Sequence, residues 1–166
     1  MHDHGLLEKL VLDEIGGKNQ AVHAYDKMMW TVRTGFLTLF FAGWGILLKA
    51  MVEQQSSTAP HNRILLVMLL VSVALGVGGL VVDQNYARRK FRVIYALDQL
   101  MSGIVQRHGQ LHDDLVDIEA SMQVSGDKNN QNYRKVTGYA REATVSLTIF
   151  LLPMAIAVLA VYVLWK

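Results

Sequence analysis

Residues 64–82 read ILLVMLLVSVALGVGGLVV, a run of 19 residues without one charged side chain. A second run of this kind, residues 145–165, is 21 residues long. At about 1.5 Å per residue, a helix of either length crosses a hydrocarbon layer of about 30 Å. Because lipid offers no hydrogen bonds to a bare backbone, such a run spans the bilayer as a helix.

A shorter apolar stretch, Gly35–Leu48, precedes these two runs. It lies within the 15 uncharged residues between Arg33 and Lys49. Because the long side chain of Lys49 can reach the interface, this stretch also predicts a span, which ends near Val52. The chain is therefore predicted to be an all-α integral membrane protein with three transmembrane helices, and with cytosolic helical segments at its N-terminus and centre.

The composition leaves little room for a separate soluble domain. Of the 166 residues, 52% are hydrophobic, and the excess lies in the three stretches. The predicted divisions are cytosolic helices at 1–33, a two-span hairpin at 34–83, a cytosolic helical hairpin at 84–143 and a third span at 144–166. One copy would have difficulty enclosing an enzyme cleft of ordinary size. The sequence contains no cysteine, which excludes disulfides and thiolate metal sites.

Lysine and arginine lie mostly on one predicted side of the membrane. Four fall in residues 1–34 and nine in residues 84–143, which makes 13 of the total of 16. The positive-inside rule therefore places the N-terminus and residues 84–143 in the cytoplasm and the C-terminus outside. We expect a multi-pass protein of a bacterial inner membrane. The basic cluster (Arg88, Arg89, Lys90 and Arg92) directly follows the second span and is predicted to contact anionic membrane lipid.

An apolar seam begins just after the basic cluster. Its positions step alternately by three and four residues, which predicts a long helix that packs against a partner helix. The seam residues are Ile94, Leu97, Met101, Ile104, His108, Leu111, Leu115, Ile118 and Met122. After a polar turn, Tyr133–Ala143 is predicted to form a helix that continues into the third span. Near the N-terminus, the Gly16-Gly17 pair is predicted to interrupt an amphipathic helix as a hinge.

Small residues lie four apart in the second span. The pairs are Ser72 with Gly76 and Ala74 with Gly78, and Gly79 adjoins them. This spacing allows helices to approach closely in lipid. Packing among the three spans of one copy and packing between copies are both compatible with it.

A polar group at Arg107, His108 and His112, followed by three aspartates, has three interpretations. His108 and His112 lie four apart, as two metal ligands on one helix face would. Arg107 and His112 have the Arg-x-x-x-x-His spacing of HEPN ribonucleases, and this resemblance implies action on an RNA phosphate at a subunit interface. The third and favoured interpretation is that His108 fixes the register between paired helices. We expect no bound metal and no cofactor.

The layout of an N-terminal helix, a two-span hairpin, a long cytosolic helix and a closing span resembles small membrane effectors of bacterial anti-phage defence. It is similar to the SLATT proteins and to the pore proteins that accompany RNA-targeting CRISPR effectors, some of which carry an Arg-x-x-x-x-His pattern. The resemblance implies that many copies assemble and open or disrupt the inner membrane when triggered.

The sequence thus predicts a homo-oligomeric protein that forms a pore or perturbs the membrane. Its cytosolic helices would mediate assembly and sense a protein or RNA-containing trigger complex, whose identity stays open. A membrane-anchored ribonuclease that uses Arg107 and His112 is the main alternative, and a passive scaffold or accessory subunit is another. An enzymatic activity is not the leading expectation.

Overall fold

A computed structural model of the chain describes residues 3–53, 61–106 and 131–165. Helix α1 extends over Asp3–Glu53, helix α2 over His61–Gln106 and helix α3 over Tyr139–Trp165. A short 3-10 helix at Asn132–Lys135 precedes α3. Each of the three long helices contains a segment long and apolar enough to cross a membrane. The prediction of an all-α protein with three candidate spans is confirmed.

Helix α1 passes through Gly16 and Gly17 without a break, so the predicted interruption is wrong. A glycine in a helix interior costs about 1 kcal/mol relative to alanine, which weakens a helix but does not forbid it. Glu14 and Lys18 form an ion pair across the two glycines. Val11 and Lys18, on either side of the pair, are both buried. Packing therefore continues across the glycines and outweighs their local preference.

Helix α3 begins at Tyr139, so the predicted helix over Tyr133–Ala143 is correct only in its last part. Residues Asn132–Lys135 form a 3-10 helix instead. Val136, with an extended backbone, ends this segment, and Gly138 adopts a left-handed φ of 97° directly before α3 begins. The backbone freedom of this glycine decides where the third helix starts.

The chain divides into two compact units. The apolar unit comprises Met29–Asn85 and Glu142–Lys166, and the basic unit comprises Met1–Met28 and Tyr86–Arg141. Both units contain parts of more than one long helix, because α1 and α2 each contribute to both.

The core of the apolar unit is built from side chains at helical spacing. In α1, buried apolar residues recur every three or four positions, which places them on one face. Leu65 of α2 and Phe150 of α3 are completely buried against this face. The core residues are Phe36, Phe40, Trp44, Leu47, Leu65, Phe150, Ala157 and Val161.

The described residues of the basic unit form a second group of buried side chains. Ala87, Phe91, Ala96 and Leu100 are buried on α2, and Tyr133 of the 3-10 helix is also buried. The rings of Tyr133 and Phe91 both contact Tyr139 edge-on, at centroid distances of 5.3 Å. These aromatic contacts fix the 3-10 helix in the basic unit.

Candidate functional site

A charged triad of Arg33, Asp83 and Glu142 joins the three helices of the apolar unit. Arg33 donates from Nε to Oδ1 of Asp83 and from Nη2 to Oδ2, both at 3.0 Å. The same Nη2 donates to Oε1 of Glu142 at 2.6 Å. The guanidinium group also lies 5.8 Å from the ring centroid of Trp30. One cation therefore binds one carboxylate from each of the other two helices.

The triad is almost completely shielded from solvent. The side chains of Arg33 and Asp83 are 3% and 0% exposed, and that of Glu142 is 22% exposed. Charges that leave water need partners, because an isolated buried charge costs several kcal/mol. The paired hydrogen bonds between Arg33 and Asp83 match the geometry in which a guanidinium binds a carboxylate most strongly.

Each member of the triad lies at the end of an apolar stretch. Arg33 precedes the first stretch, Asp83 directly follows the second, and Glu142 lies three residues before the third. Since Arg33 contacts both Asp83 and Glu142, these three ends lie together at one end of the apolar unit. The triad can thus hold the three helices in register.

Sequence reasoning did not single out the triad, because its members lie 50 and 109 positions apart. A signal was nevertheless present. Single charges of opposite sign border the three apolar stretches, at ends that the positive-inside rule assigns to the same side. Such charges would be expected to pair.

The predicted span-packing residues separate into two sets. Ser72 is buried, and its hydroxyl accepts a hydrogen bond of 2.9 Å from Nε1 of Trp44. Gly76 contacts Met154, and a Cβ at Gly79 would lie 2.5 Å from Cε1 of Phe150. Ser72, Gly76 and Gly79 thus permit close packing within one copy.

The other two small residues lie elsewhere on α2. Ala74 is exposed, and a Cβ at Gly78 would meet no atom within 4 Å. Packing inside one copy accounts for the first set and leaves Ala74 and Gly78 uncovered.

The basic cluster lies at the start of the α2 segment in the basic unit. Arg88 and Arg89 are exposed. Lys90 forms an ion pair of 2.6 Å with Asp26 and lies 5.3 Å from the ring centroid of Phe91. The guanidinium of Arg92 lies 5.3 Å from the ring centroid of Tyr133.

Tyr133 experiences the positive charge of these residues. Burial acts to raise the pKa of Tyr133, but its hydrogen bond with Arg134 acts in the other direction. The charges of Arg134, Arg88 and Arg92 also lower it, and the pKa ends below its ordinary value. The phenol hydroxyl therefore marks a region of positive potential.

The helix seam is described only in its first part. Ile94 and Leu97 are half-buried, and Met101 is 46% exposed. The buried positions beside Leu97 and Met101 are instead Ala96 and Leu100, each one residue earlier in the chain. Ile104 also lies on helix α2, and only its backbone is among the described parts of the chain.

The remaining predicted positions lie outside the described residues. They are Arg107, His108, Leu111, His112, Leu115, Ile118 and Met122. Within residues 3–53, 61–106 and 131–165, no group of three histidine, aspartate or glutamate side chains could hold a metal ion. The predictions of a ribonuclease pair and of a histidine in the seam stay untested.

Comparison of the chain with protein-family models, with curated protein sequences and with solved structures finds no match.

Proposed function

We propose that the chain is a homo-oligomeric protein of a bacterial inner membrane, with its N-terminus in the cytoplasm. Its copies assemble and open a pore or perturb the bilayer, and the cytoplasmic helices mediate assembly or sense a trigger. The exposed apolar side chains outside the three apolar stretches carry this proposal.

Three such side chains are Leu10, Leu12 and Met101, which are 56%, 61% and 46% exposed. With the proposed orientation they lie on the cytoplasmic side, where water rather than lipid surrounds them. Burial of one leucine or methionine side chain is worth about 1.5–3 kcal/mol, so a second copy that covered them would be stabilised.

The candidate spans leave further surface for assembly. In the most apolar segments of the first, second and third candidate spans, 22%, 17% and 28% of the residues are buried within one copy. The rest is available to lipid and to neighbouring copies. An assembly of several copies could enclose a channel between them.

The mass of the purified full chain in detergent tests assembly directly. We expect a defined multiple of 18.6 kDa by light scattering, with rings or clusters visible by electron microscopy. Leu12→Gln combined with Met101→Gln should lower the number of copies in the assembly. Lys9→Gln, at a neighbouring exposed position, should leave that number unchanged. A monodisperse monomer would overturn the proposal.

Release of a dye from liposomes that contain the purified protein tests the pore. We expect release to depend on the variants that disrupt assembly. A stable oligomer that never releases dye and never depolarises cells would identify a scaffold instead.

The orientation can be tested by chemical labelling, because the chain has no cysteine of its own. A single cysteine at Asn62 should react with an impermeant thiol reagent added to intact spheroplasts. A single cysteine at Lys9 should react only after lysis. The reverse pattern would place the N-terminus outside.

A further inference from the structure

Three arginines converge on the side chain of Tyr133 in the basic unit. The guanidinium of Arg92 lies 5.3 Å from its ring centroid, and Arg134, the next residue along the chain, lowers the pKa of its hydroxyl. Arg88 is close enough to interact electrostatically with the same hydroxyl. The ring is 3% exposed and is held edge-on against Tyr139 at 5.3 Å. A rigid ring therefore positions cations from two segments of the chain.

The two described segments that carry these arginines are rich in positive charge. Residues 86–106 and 131–141 contain the four members of the basic cluster together with Arg134, Lys135 and Arg141. Asp98 is the acidic residue of these two ranges. Lys90 is neutralised by Asp26, whereas Arg88 and Arg134 are exposed. The charge that faces solvent here is complementary to an anion.

We propose that Arg88, Arg92 and Arg134, positioned by Tyr133, form a binding site for the phosphate of an anionic phospholipid headgroup. This inference rests on the proposed membrane placement of the chain. The proposed site adds two features to the predicted basic cluster. They are Arg134, which comes from a different segment, and the buried ring of Tyr133, against which Arg92 lies. Guanidinium groups suit this ligand because their planar donors bind phosphate oxygens in pairs.

The position of Arg88 favours a lipid over a free phosphate. Arg88 follows Val82, the last residue of the second apolar stretch, by six positions on one continuous helix. Six residues of helix rise about 9 Å, slightly beyond a headgroup layer of roughly 5–8 Å, and the long side chain of Arg88 can reach back to it. A guanidinium at that height meets lipid phosphates before it meets bulk solvent.

Lipid retention by the full chain in mild detergent tests the site. The purified protein is equilibrated with equal amounts of phosphatidylglycerol and phosphatidylcholine, and native mass spectrometry counts the lipids retained. We expect a preference for phosphatidylglycerol. Arg134→Gln should lower that preference about fivefold, the contribution expected of one basic group near an anionic surface. Arg63→Gln, which removes an exposed arginine of the apolar unit, serves as the matched control.

Two further arms separate the possible outcomes. Inorganic phosphate that competes as effectively as phosphatidylglycerol would show a free-phosphate site and overturn the lipid assignment. Equal losses of preference in Arg134→Gln and Arg63→Gln would show only a general charge effect, and would also overturn it. If Arg134→Gln fails to fold, Arg88→Gln gives the same comparison, since Arg88 is exposed and outside the aromatic contacts.

The headgroup site and the proposed assembly can be overturned separately. An oligomer that releases dye but shows no lipid preference would overturn only the headgroup site. A monomer that still retains phosphatidylglycerol through Arg134 would overturn only the proposal of assembly.

Discussion

The guanidinium of Arg33 donates two hydrogen bonds of 3.0 Å to the two carboxylate oxygens of Asp83, which lies 50 residues further along the chain. This relationship, completed by Glu142, joins all three long helices at one end of the apolar unit. It makes stability depend on side chains that lie outside the apolar stretches. Several consequences can be measured.

Removal of the cation alone should be strongly destabilising. Arg33→Gln leaves Asp83 buried without its cationic partner, and we expect the free energy of unfolding to fall by about 3–5 kcal/mol. Unfolding by denaturing detergent in mixed micelles measures this quantity. Replacement of the whole triad, with Arg33→Met, Asp83→Leu and Glu142→Leu, should recover most of the loss because no unpaired charge then remains.

An exposed ion pair of the same chain provides the control. Lys49 and Glu53 are 3.8 Å apart, and their side chains are 76% and 65% exposed. Lys49→Gln should change the free energy of unfolding by less than about 1 kcal/mol. A similar loss in Arg33→Gln and Lys49→Gln would contradict a structural role for the triad.

Two adjacent glycines of α2 should respond differently to the same substitution. A Cβ at Gly79 would lie 2.5 Å from Cε1 of Phe150, whose side chain is completely buried, so Gly79→Ala must displace a ring in the core. We expect a loss of about 1–3 kcal/mol, the usual cost of overpacking. A Cβ at Gly78 meets no atom within 4 Å. Gly78→Ala should therefore leave the stability of one copy unchanged or raise it slightly.

Thermal unfolding followed by tryptophan fluorescence separates the two glycine variants. If Gly78→Ala proved the more destabilising in the monomer, the assignment of Gly79 to internal packing would be wrong. A loss of oligomer mass in Gly78→Ala with no loss of monomer stability would instead show that copies meet at this face.

Two buried serines should also differ. Ser72 accepts a hydrogen bond from the indole of Trp44, and Ser72→Ala should cost about 1 kcal/mol because the indole N–H loses its partner. The hydroxyl of Ser146 is buried and makes no hydrogen bond to any part of the chain that the structure describes. Ser146→Ala should consequently be neutral or stabilising. A larger loss in Ser146→Ala than in Ser72→Ala would contradict these assignments.

The lowered pKa of Tyr133 predicts a dependence of stability on pH. Because the folded state loses the phenol proton at a lower pH than the unfolded state, the group stabilises the fold above the unfolded pKa of about 10. This contribution is lost as the pH falls through the lowered folded value. The stability difference between the wild type and Tyr133→Phe should therefore increase as the pH rises toward 10.

In an Arg134→Gln background, the stability difference caused by Tyr133→Phe should rise less steeply with pH, because Arg134 contributes to the lowered pKa of Tyr133. Added phosphatidylglycerol should also make this rise less steep if its phosphate lies among the same arginines. A stability difference that stays constant with pH would contradict the electrostatic account of Tyr133.

The ribonuclease alternative makes a separate prediction. Arg107→Ala combined with His112→Ala should leave membrane depolarisation unchanged if the chain acts only as a pore. Loss of an RNA-cleaving activity in the same double variant would instead support the HEPN resemblance. Cleavage of a labelled RNA by the purified chain and the membrane potential of expressing cells are the two measurements.

Local pattern was enough to predict the three long helices, but it failed at two junctions. The break at Gly16-Gly17 does not occur, since packing on either side continues through it. The helix predicted from Tyr133 starts at Tyr139, since Gly138 takes a left-handed conformation with a φ of 97°. Both errors arise at glycines, whose backbone freedom is compatible both with continuing a helix and with ending it.

That three helices are apolar enough to span a bilayer is evident from the amino-acid sequence, because length and lack of charge can be read along the chain. The binding of Asp83 and Glu142 by Arg33, and the contact of Gly79 rather than Gly78 with Phe150, become visible only in the folded chain. Hydrophobicity is a property of each segment alone. Ion pairing and close packing depend instead on the relative rotation of the helices, and no single segment encodes that rotation.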